Sequence, residues 1–409
     1  MSILPRLSKK KFYVTITIIV MVTGLCGCGR TDTVRDCDYD ICFDRYGFGY
    51  GYSEKGVVYS IEGVGHFFDA ESGNSSVLCT KPDCKHMKSY FGYDSTCDAY
   101  WGSNVSGSFL YGDKLIYITC SDEDDDSHNV LLDKYLMESD IDGKNRRKLA
   151  DLPNFEIVRD LSVKGNLLAI GYVRQSDPEN INDVIVGRLE KDIAGVALIN
   201  LDTKEITNIC QAEEYNAMLY GLSVTEDSVY YTLSYSTEKV EFTEQTDSYD
   251  YVGAMKKSLV TEIHRADIVS GEDIIIYKGN LANTFYYGKY IMVEEEGVFT
   301  FIKDGIEIGT YSPEELGITN NDYTCKCIYE GVLYMMYSDR AWCMDLNTGK
   351  IDKAFEEKLN GCGLRKISSI CGSKVYFEMH EDKGYIQYVT DKDKFFTGDI
   401  SGRIEVVLK

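Results

Sequence analysis

A short strand pattern repeated seven times, a second turn within each copy and a near absence of proline predict an all-β fold. The architecture they imply is a seven-bladed β-propeller of four-stranded antiparallel blades. Each copy opens on a turn and runs into Tyr or another large apolar residue. The copies are Gly56-Val-Val-Tyr, Gly112-Asp-Lys-Leu-Ile-Tyr, Gly165-Asn-Leu-Leu-Ala-Ile, Asp227-Ser-Val-Tyr-Tyr, Gly288-Lys-Tyr-Ile-Met, Gly331-Val-Leu-Tyr and Gly372-Ser-Lys-Val-Tyr-Phe. The 32 Tyr suit strands, and only five Pro are present to interrupt ladders.

The later turns are Asp69-Ala-Glu-Ser-Gly73, Asp140-Ile-Asp-Gly143, Asp202-Thr-Lys204, Asp267-Ile-Val-Ser-Gly271, Asp304-Gly305, Asp345-Leu-Asn-Thr-Gly349 and Asp399-Ile-Ser-Gly402. Asp at the head of a turn accepts hydrogen bonds from the backbone ahead of it, and Gly supplies the positive φ that closes a hairpin. Each unit therefore reads as strand A, tight turn, strand B, variable loop, strand C, Asp/Gly turn, strand D. One such sheet cannot bury both faces alone, whereas a ring of neighbours can. Strand A of the first blade is expected near Tyr46–Tyr52 and strand D of the last at Arg403–Leu408, with no late strand lent to the first sheet. Ser312-Pro-Glu-Glu-Leu-Gly317 reads as a single helical turn capped by Ser312.

The first residues are an address rather than part of the fold. Arg6, Lys9, Lys10 and Lys11 form a basic region ahead of the apolar stretch Phe12 to Leu25, which is short for a span of about 20 residues. Leu25-Cys26-Gly27-Cys28 matches a bacterial lipobox. The expected organisation is a signal peptide at 1–27, a tether at 28–45 and the propeller at 46–409, with diacylglycerol on Cys28. That places the chain on the outer face of the cytoplasmic membrane. Removing residues 1–27 takes four basic residues and no acid, leaving 39 Lys+Arg against 66 Asp+Glu, a net charge of −27. Such a surface repels nucleic acid and anionic lipid, so the expected partner is a protein, peptide or glycan.

The A–B and C–D turns are short, and the long segments fall in the other two classes. They are Ser121–His128, about 174–192, about 236–257, Cys79–Asn104 and Ser312–Tyr323. In a propeller those two classes share one face, so that face is the expected binding face. Ser121-Asp-Glu-Asp-Asp-Asp-Ser-His128 lacks the spaced ligands and central glycine of a calcium loop and reads as a solvated charge run. Phe242, Tyr249 and Tyr251 stand among acids in the fourth-blade insertion, where they can stack on sugar rings or grip a basic peptide. No nucleophile elbow, P-loop or dinucleotide fingerprint is present. An extracytoplasmic hydrolase or lyase with carboxylates at the channel mouth is the alternative to a binding propeller.

Cys79, Cys84, His86 and Cys97 put three thiols and an imidazole within nineteen residues. This donor set suits a tetrahedral structural zinc, or iron, with the Pro82-Asp83 turn bringing Cys79 and Cys84 to one side. Disulfides are the rival reading outside a membrane, since Cys37/Cys42 and Cys79/Cys84 share one spacing; unpaired thiols are the third. Cys120, Cys210, Cys325, Cys327, Cys343, Cys362 and Cys371 read mostly as small buried strand residues, as an anaerobic Gram-positive source would allow. His66, His128, His264 and His380 show no regular spacing.

The segment Cys79-Thr-Lys-Pro-Asp-Cys84-Lys-His86 with Cys97-Asp-Ala-Tyr100, behind a lipobox and ahead of propeller repeats, resembles lipoproteins of gut clostridia. Their repeats are similar to propellers of the low-density-lipoprotein-receptor type, in which a Tyr-Trp-Thr-Asp strand recurs. Val229-Tyr-Tyr-Thr232 and Ile116-Tyr-Ile-Thr119 echo that strand, whereas blades three, five and seven depart from it. The resemblance implies fold and location and carries no activity and no catalytic residue.

Overall fold

The computed structural model describes residues 40–41, 50–61, 63–86, 88–89, 92–93, 97–102, 105–120, 134–153, 155, 157–174, 191–239, 257–280, 283–316, 325–336, 341–352 and 363–408. Met1–Arg35 forms a separate unit outside these residues, and Asp36–Lys409 forms the other. Cys28, Phe242, Tyr249 and Tyr251 accordingly lie outside the described residues.

Strand β1 (Asp40–Ile41) precedes the first four-stranded sheet, β2 (Tyr50–Tyr52), β3 (Gly56–Ile61), β4 (Val64–Asp69) and β5 (Ser75–Val77). A two-stranded sheet, β6 (Lys88–Ser89) with β7 (Gly92–Tyr93), follows in the Cys/His segment. The next sheet is β8 (Gly107–Tyr111), β9 (Lys114–Cys120), β10 (Lys134–Asp140) and β11 (Arg147–Leu152). A seven-stranded sheet then runs through β12 (Ile157–Lys164), β13 (Leu167–Arg174), β14 (Asp192–Asn200), β15 (Ile206–Val224), β16 (Ser228–Ser236), β17 (Leu259–Asp267) and β18 (Asp273–Gly279). Two further four-stranded sheets are β19 (Asn283–Tyr287), β20 (Tyr290–Glu295), β21 (Val298–Lys303), β22 (Ile306–Tyr311), and β23 (Cys325–Tyr329), β24 (Val332–Met336), β25 (Ala341–Asp345), β26 (Lys350–Asp352). The last comprises β27 (Leu364–Cys371), β28 (Lys374–Glu381), β29 (Gly384–Asp391) and β30 (Ile404–Glu405), with helix α1 (Lys392–Phe396) before its final strand.

Every sheet is an antiparallel meander, and the packing between sheets makes the fold a β-propeller. Inner strands of successive four-stranded meanders touch, β2 with β8, β12 with β15, β15 with β19, β19 with β23 and β23 with β27. Apolar clusters lie between consecutive sheets. One joins Val58, Leu78 and Trp101 to Leu115 and Tyr117, the next Phe109 and Ile116 to Leu168 and Ile170. A further cluster joins the last sheet to the first through Tyr376 and Val389 against Val57, Tyr59 and Phe68. Burial on both faces explains the middle strands: β16 reads Ser-Val-Tyr-Tyr-Thr-Leu-Ser-Tyr-Ser and is buried almost throughout, whereas outer β18 is mostly exposed or half-buried.

Several expectations are corrected here. The 19-residue β15 crosses from one meander into the next without a loop, so these two units share a strand. The C–D connection of the last sheet is not a short turn at Asp399–Gly402: it begins with α1, whose Phe395 is fully buried against Phe377 at 5.0 Å between ring centres. No late strand enters the first sheet, but β1 pairs antiparallel with the free inner edge of β27 (Asp40↔Ile370, Ile41↔Ser369) and lies beside β19. Part of the expected tether thus reaches the inner ring. At the seam, the Tyr376 hydroxyl donates to the Ser53 carbonyl (2.8 Å) and the Ser373 N–H to Glu54 Oε1 (2.9 Å). Ser312 does cap a turn: its Oγ accepts from the Glu315 N–H while Glu315 Oε2 accepts from the Ser312 N–H, a capping box. Among the described residues no helix is long and apolar enough to cross a membrane.

Candidate metal centre

The Cys/His segment is held by one residue that the repeat pattern does not mark, Gly65 on β4. Its N–H donates to the Ala99 carbonyl (2.7 Å), and its carbonyl accepts from the Leu78 N–H (2.9 Å). Cys79 follows Leu78 and Cys97 lies two residues before Ala99, so one glycine brings together cysteines eighteen positions apart. A Cβ on Gly65 would stand 2.0 Å from the Trp101 ring. Trp101 is buried, stacks on Tyr117 at 5.1 Å and 17°, and its N–H donates to the Gly63 carbonyl. The Cys84 N–H closes the turn onto the Lys81 carbonyl (3.2 Å), and His86 takes the left-handed conformation at φ 49°.

The sulfurs of Cys79, Cys84 and Cys97 and a ring nitrogen of His86 all lie within 4.8 Å of one another. Cys97 Sγ stands 3.6 Å from His86 Nδ1. With metal–sulfur bonds of about 2.3 Å and metal–nitrogen bonds of about 2.0–2.1 Å, the sulfur–nitrogen edge of a tetrahedron is about 3.5 Å. The three cysteines are free thiols, so the geometry does not take the disulfide alternative for them. Cys97 is buried and the other three residues are half-buried.

The electrostatics of the thiols fit a cation. Burial pushes the Cys97 thiol up to about 12, further raised by the neighbouring Cys84 and Cys79 and opposed by the Ala99 N–H. Burial also acts to raise Cys79, but the N–H groups of Lys81 and Asp98 and the thiols of Cys84 and Cys97 donate to its sulfur, and its pKa falls below the usual thiol value. A divalent cation would favour the thiolate at all three. Lys81, paired with Asp98 at 2.8 Å, adds a positive charge at the rim of the cluster. With a metal bound, these four protein donors would fill a tetrahedral shell.

The turn before β11 lies beside the end of β5, where a Cβ on Gly143 would meet the Leu78 carbonyl at 2.5 Å and the Asp98 carbonyl at 2.6 Å. Strands β6 and β7 lie within the same Cys/His stretch.

Two polar constellations escaped sequence reading. His264 is buried between carboxylates, with Nδ1 3.2 Å from Asp273 Oδ2 and Nε2 3.4 Å from Glu262 Oε2, and stacks on Tyr231 at 4.7 Å and 10°. The Tyr231 hydroxyl donates to Asp273 (2.6 Å), and Lys278 pairs with Glu262 (2.6 Å). On inner strand β12, Asp160 accepts from the N–H groups of Leu161 and Leu222, both at 2.9 Å, and so ties β12 to the second half of β15. Burial raises its carboxyl to about 7, with those N–H bonds opposing. Of the strand cysteines, Cys120, Cys327, Cys343 and Cys371 are buried and Cys210 is half-buried; Cys362 and the side chain of Cys325 lie outside the described residues.

No family profile and no curated protein matches the chain. Among solved structures it is similar to the β-propeller domain of the Trilobed protease from Pyrococcus furiosus, at 9% identity and a TM-score of 0.49, covering 91% of this chain and 97% of that one. Pyrococcus horikoshii acylaminoacyl peptidase gives 11% identity and a TM-score of 0.45 over 90% of this chain, which spans only 54% of the peptidase. Oligogalacturonate lyase from Vibrio parahaemolyticus gives 9% identity and a TM-score of 0.42, covering 87% and 90% of the two chains.

Proposed function

We propose that this protein is a lipid-anchored, seven-bladed binding propeller on the outer face of the cytoplasmic membrane. Its B–C and D–A loops contact a protein, peptide or glycan partner, and one structural zinc or iron held by Cys79, Cys84, His86 and Cys97 orders the first-blade insertion. The observation that carries the reading is the convergence of those four donor atoms within 4.8 Å, in a segment with few apolar residues of its own to hold it. A closed four-donor shell favours a scaffold over an enzyme.

Metal analysis of full-length protein purified anaerobically should find close to one zinc or iron per chain, falling to near zero in Cys84→Ser. Metal-free protein two mass units lighter per bridge would reject the metal centre. Growth with a clickable fatty acid should label the wild type and leave Cys28→Ser unlabelled; label persisting on that variant would reject the anchor. A glycan and peptide array probed with the same protein then tests the binding role.

A further inference from the structure

Beside the metal centre, on its solvent side, a cavity of about 550 Å³ is lined by Lys81, Cys97, Asp98, Gly143, Lys144, Asn145 and Arg146. One wall comes from the Cys/His segment and the other from the turn before β11, within the run Lys144-Asn-Arg-Arg-Lys148. Four basic residues in five are out of character for a chain of net charge −23. Gly143 fixes the two walls together: its φ of +81° and the space between the Leu78 and Asp98 carbonyls admit no side chain. Arg146 is fixed across the junction, its Nη2 donating to the Asp98 carbonyl at 2.5 Å, so one edge of the guanidinium is spent on backbone. Lys81 is tied to Asp98 and Lys144 to Asp142, which lies outside the lining. The charged lining comprises Lys81, Lys144 and Arg146 against Asp98, and with Asp142, which pairs with Lys144 from just outside it, the local charge is +1.

We propose that this cavity is a subsite for a small phosphomonoester. A phosphomonoester offers these three cations several tetrahedrally disposed acceptor oxygens and about −1.5 to −2 of charge at neutral pH, whereas a carboxylate offers two in-plane oxygens and a single charge. Arg and Lys together supply the donor set that tetrahedral oxyanions take. The volume exceeds that of a bare anion and accommodates the group bearing the phosphate. Contacts at this range escape the repulsion of the acidic body, which is screened beyond about 8 Å at physiological salt; a long polyanion would meet that repulsion along its length. The subsite deepens the binding role proposed above and uses side chains that do not ligate the metal.

Calorimetric titration of the full-length protein in neutral detergent tests this, with glucose 6-phosphate, inorganic phosphate, glucuronate and a polyphosphate chain as probes. Glucose 6-phosphate should bind one per chain and glucuronate at least tenfold more weakly. Arg146→Gln and Lys144→Gln should each weaken glucose 6-phosphate at least tenfold, with metal content and melting temperature unchanged. Lys144 is exposed, so its variant reads the charge even where Arg146→Gln loosens the turn. Equal affinity in both variants, equal binding of glucuronate, tighter binding of polyphosphate, or no heat at millimolar glucose 6-phosphate would overturn the proposal. The two readings separate because Cys84→Ser removes metal: Arg146-dependent phosphate binding by metal-free wild type would leave the subsite standing while rejecting the metal.

Discussion

Gly65→Ala is the sharpest test of how the propeller builds its Cys/His segment. The new methyl would lie 2.0 Å from the Trp101 ring, well inside contact distance, and Trp101 is held by Tyr117 on its far side and by the Gly63 carbonyl through its backbone. Overpacking of this kind costs about 1–3 kcal/mol. Ejecting the indole instead would forfeit its stacking, about 0.5–1.5 kcal/mol, and the burial of a large ring. The strain falls on the contacts that place Cys79 and Cys97, and an opened segment relieves it. Metal affinity should therefore drop by the same free energy, roughly 5- to 150-fold. Competition against a chelator of known affinity measures this, and urea unfolding followed by tryptophan fluorescence reports the stability of the same region. Unchanged metal affinity together with an unchanged unfolding midpoint would refute the claim that Gly65 is the anchor.

His264→Ala should destabilise the protein by about 1–3 kcal/mol at neutral pH, because Glu262 and Asp273 lose a shared partner at a buried site. Burial acts to raise both carboxyls, but His264 and Tyr231 outweigh it at Asp273, and Lys278, Tyr235 and His264 outweigh it at Glu262. Both folded pKa values are thus depressed, so their stabilisation is full above the ordinary carboxylate range near pH 4 and is lost as pH falls through the lower folded values. Urea midpoints measured between pH 3 and 7 should show a flatter acid limb in the variant. Tyr376→Phe removes the hydroxyl donated to the buried Ser53 carbonyl at the seam and should lower stability by about 1–2 kcal/mol in the same assay. Phe395→Ala empties a fully buried site beneath α1 and should cost about 3–5 kcal/mol; a loss under 1 kcal/mol would mean that the helix is not part of the core.

What the sequence discloses follows the range of the interactions. Strand runs and Asp/Gly turns are local, and both can be read from a few residues: Asp345 accepts from the Asn347 and Thr348 N–H groups in its own turn. The metal-ligand set is legible from residue type and spacing. Gly65 is not, because its need to lack a side chain arises from Trp101, on the far side of the Cys/His segment. His264 reads as an isolated histidine until pairing of β17 with β18 sets Ile275, and with it the Asp273 end of that strand, beside it. The short helix α1 carries too little periodicity to announce itself, and Phe395 shows its role only against Phe377. Strand β15 hides a boundary, since its sequence passes from outer to inner position without a turn.

The seam has a consequence for the order in which the chain folds. Most sheets here are assembled from neighbours in sequence and can form as their strands become available. The first sheet cannot finish that way. The Tyr376–Ser53 bond joins residues 323 apart, the Ser75–Val407 bond residues 332 apart, and β1 waits for β27. Until the last sheet arrives, Val57, Tyr59 and Phe68, each at most 1% exposed in the closed ring, form an open apolar flank. Such a flank is prone to aggregation while it lasts. A chain ending before Leu364 would keep it permanently, so truncation from the far end should strike first at the sheet nearest the beginning.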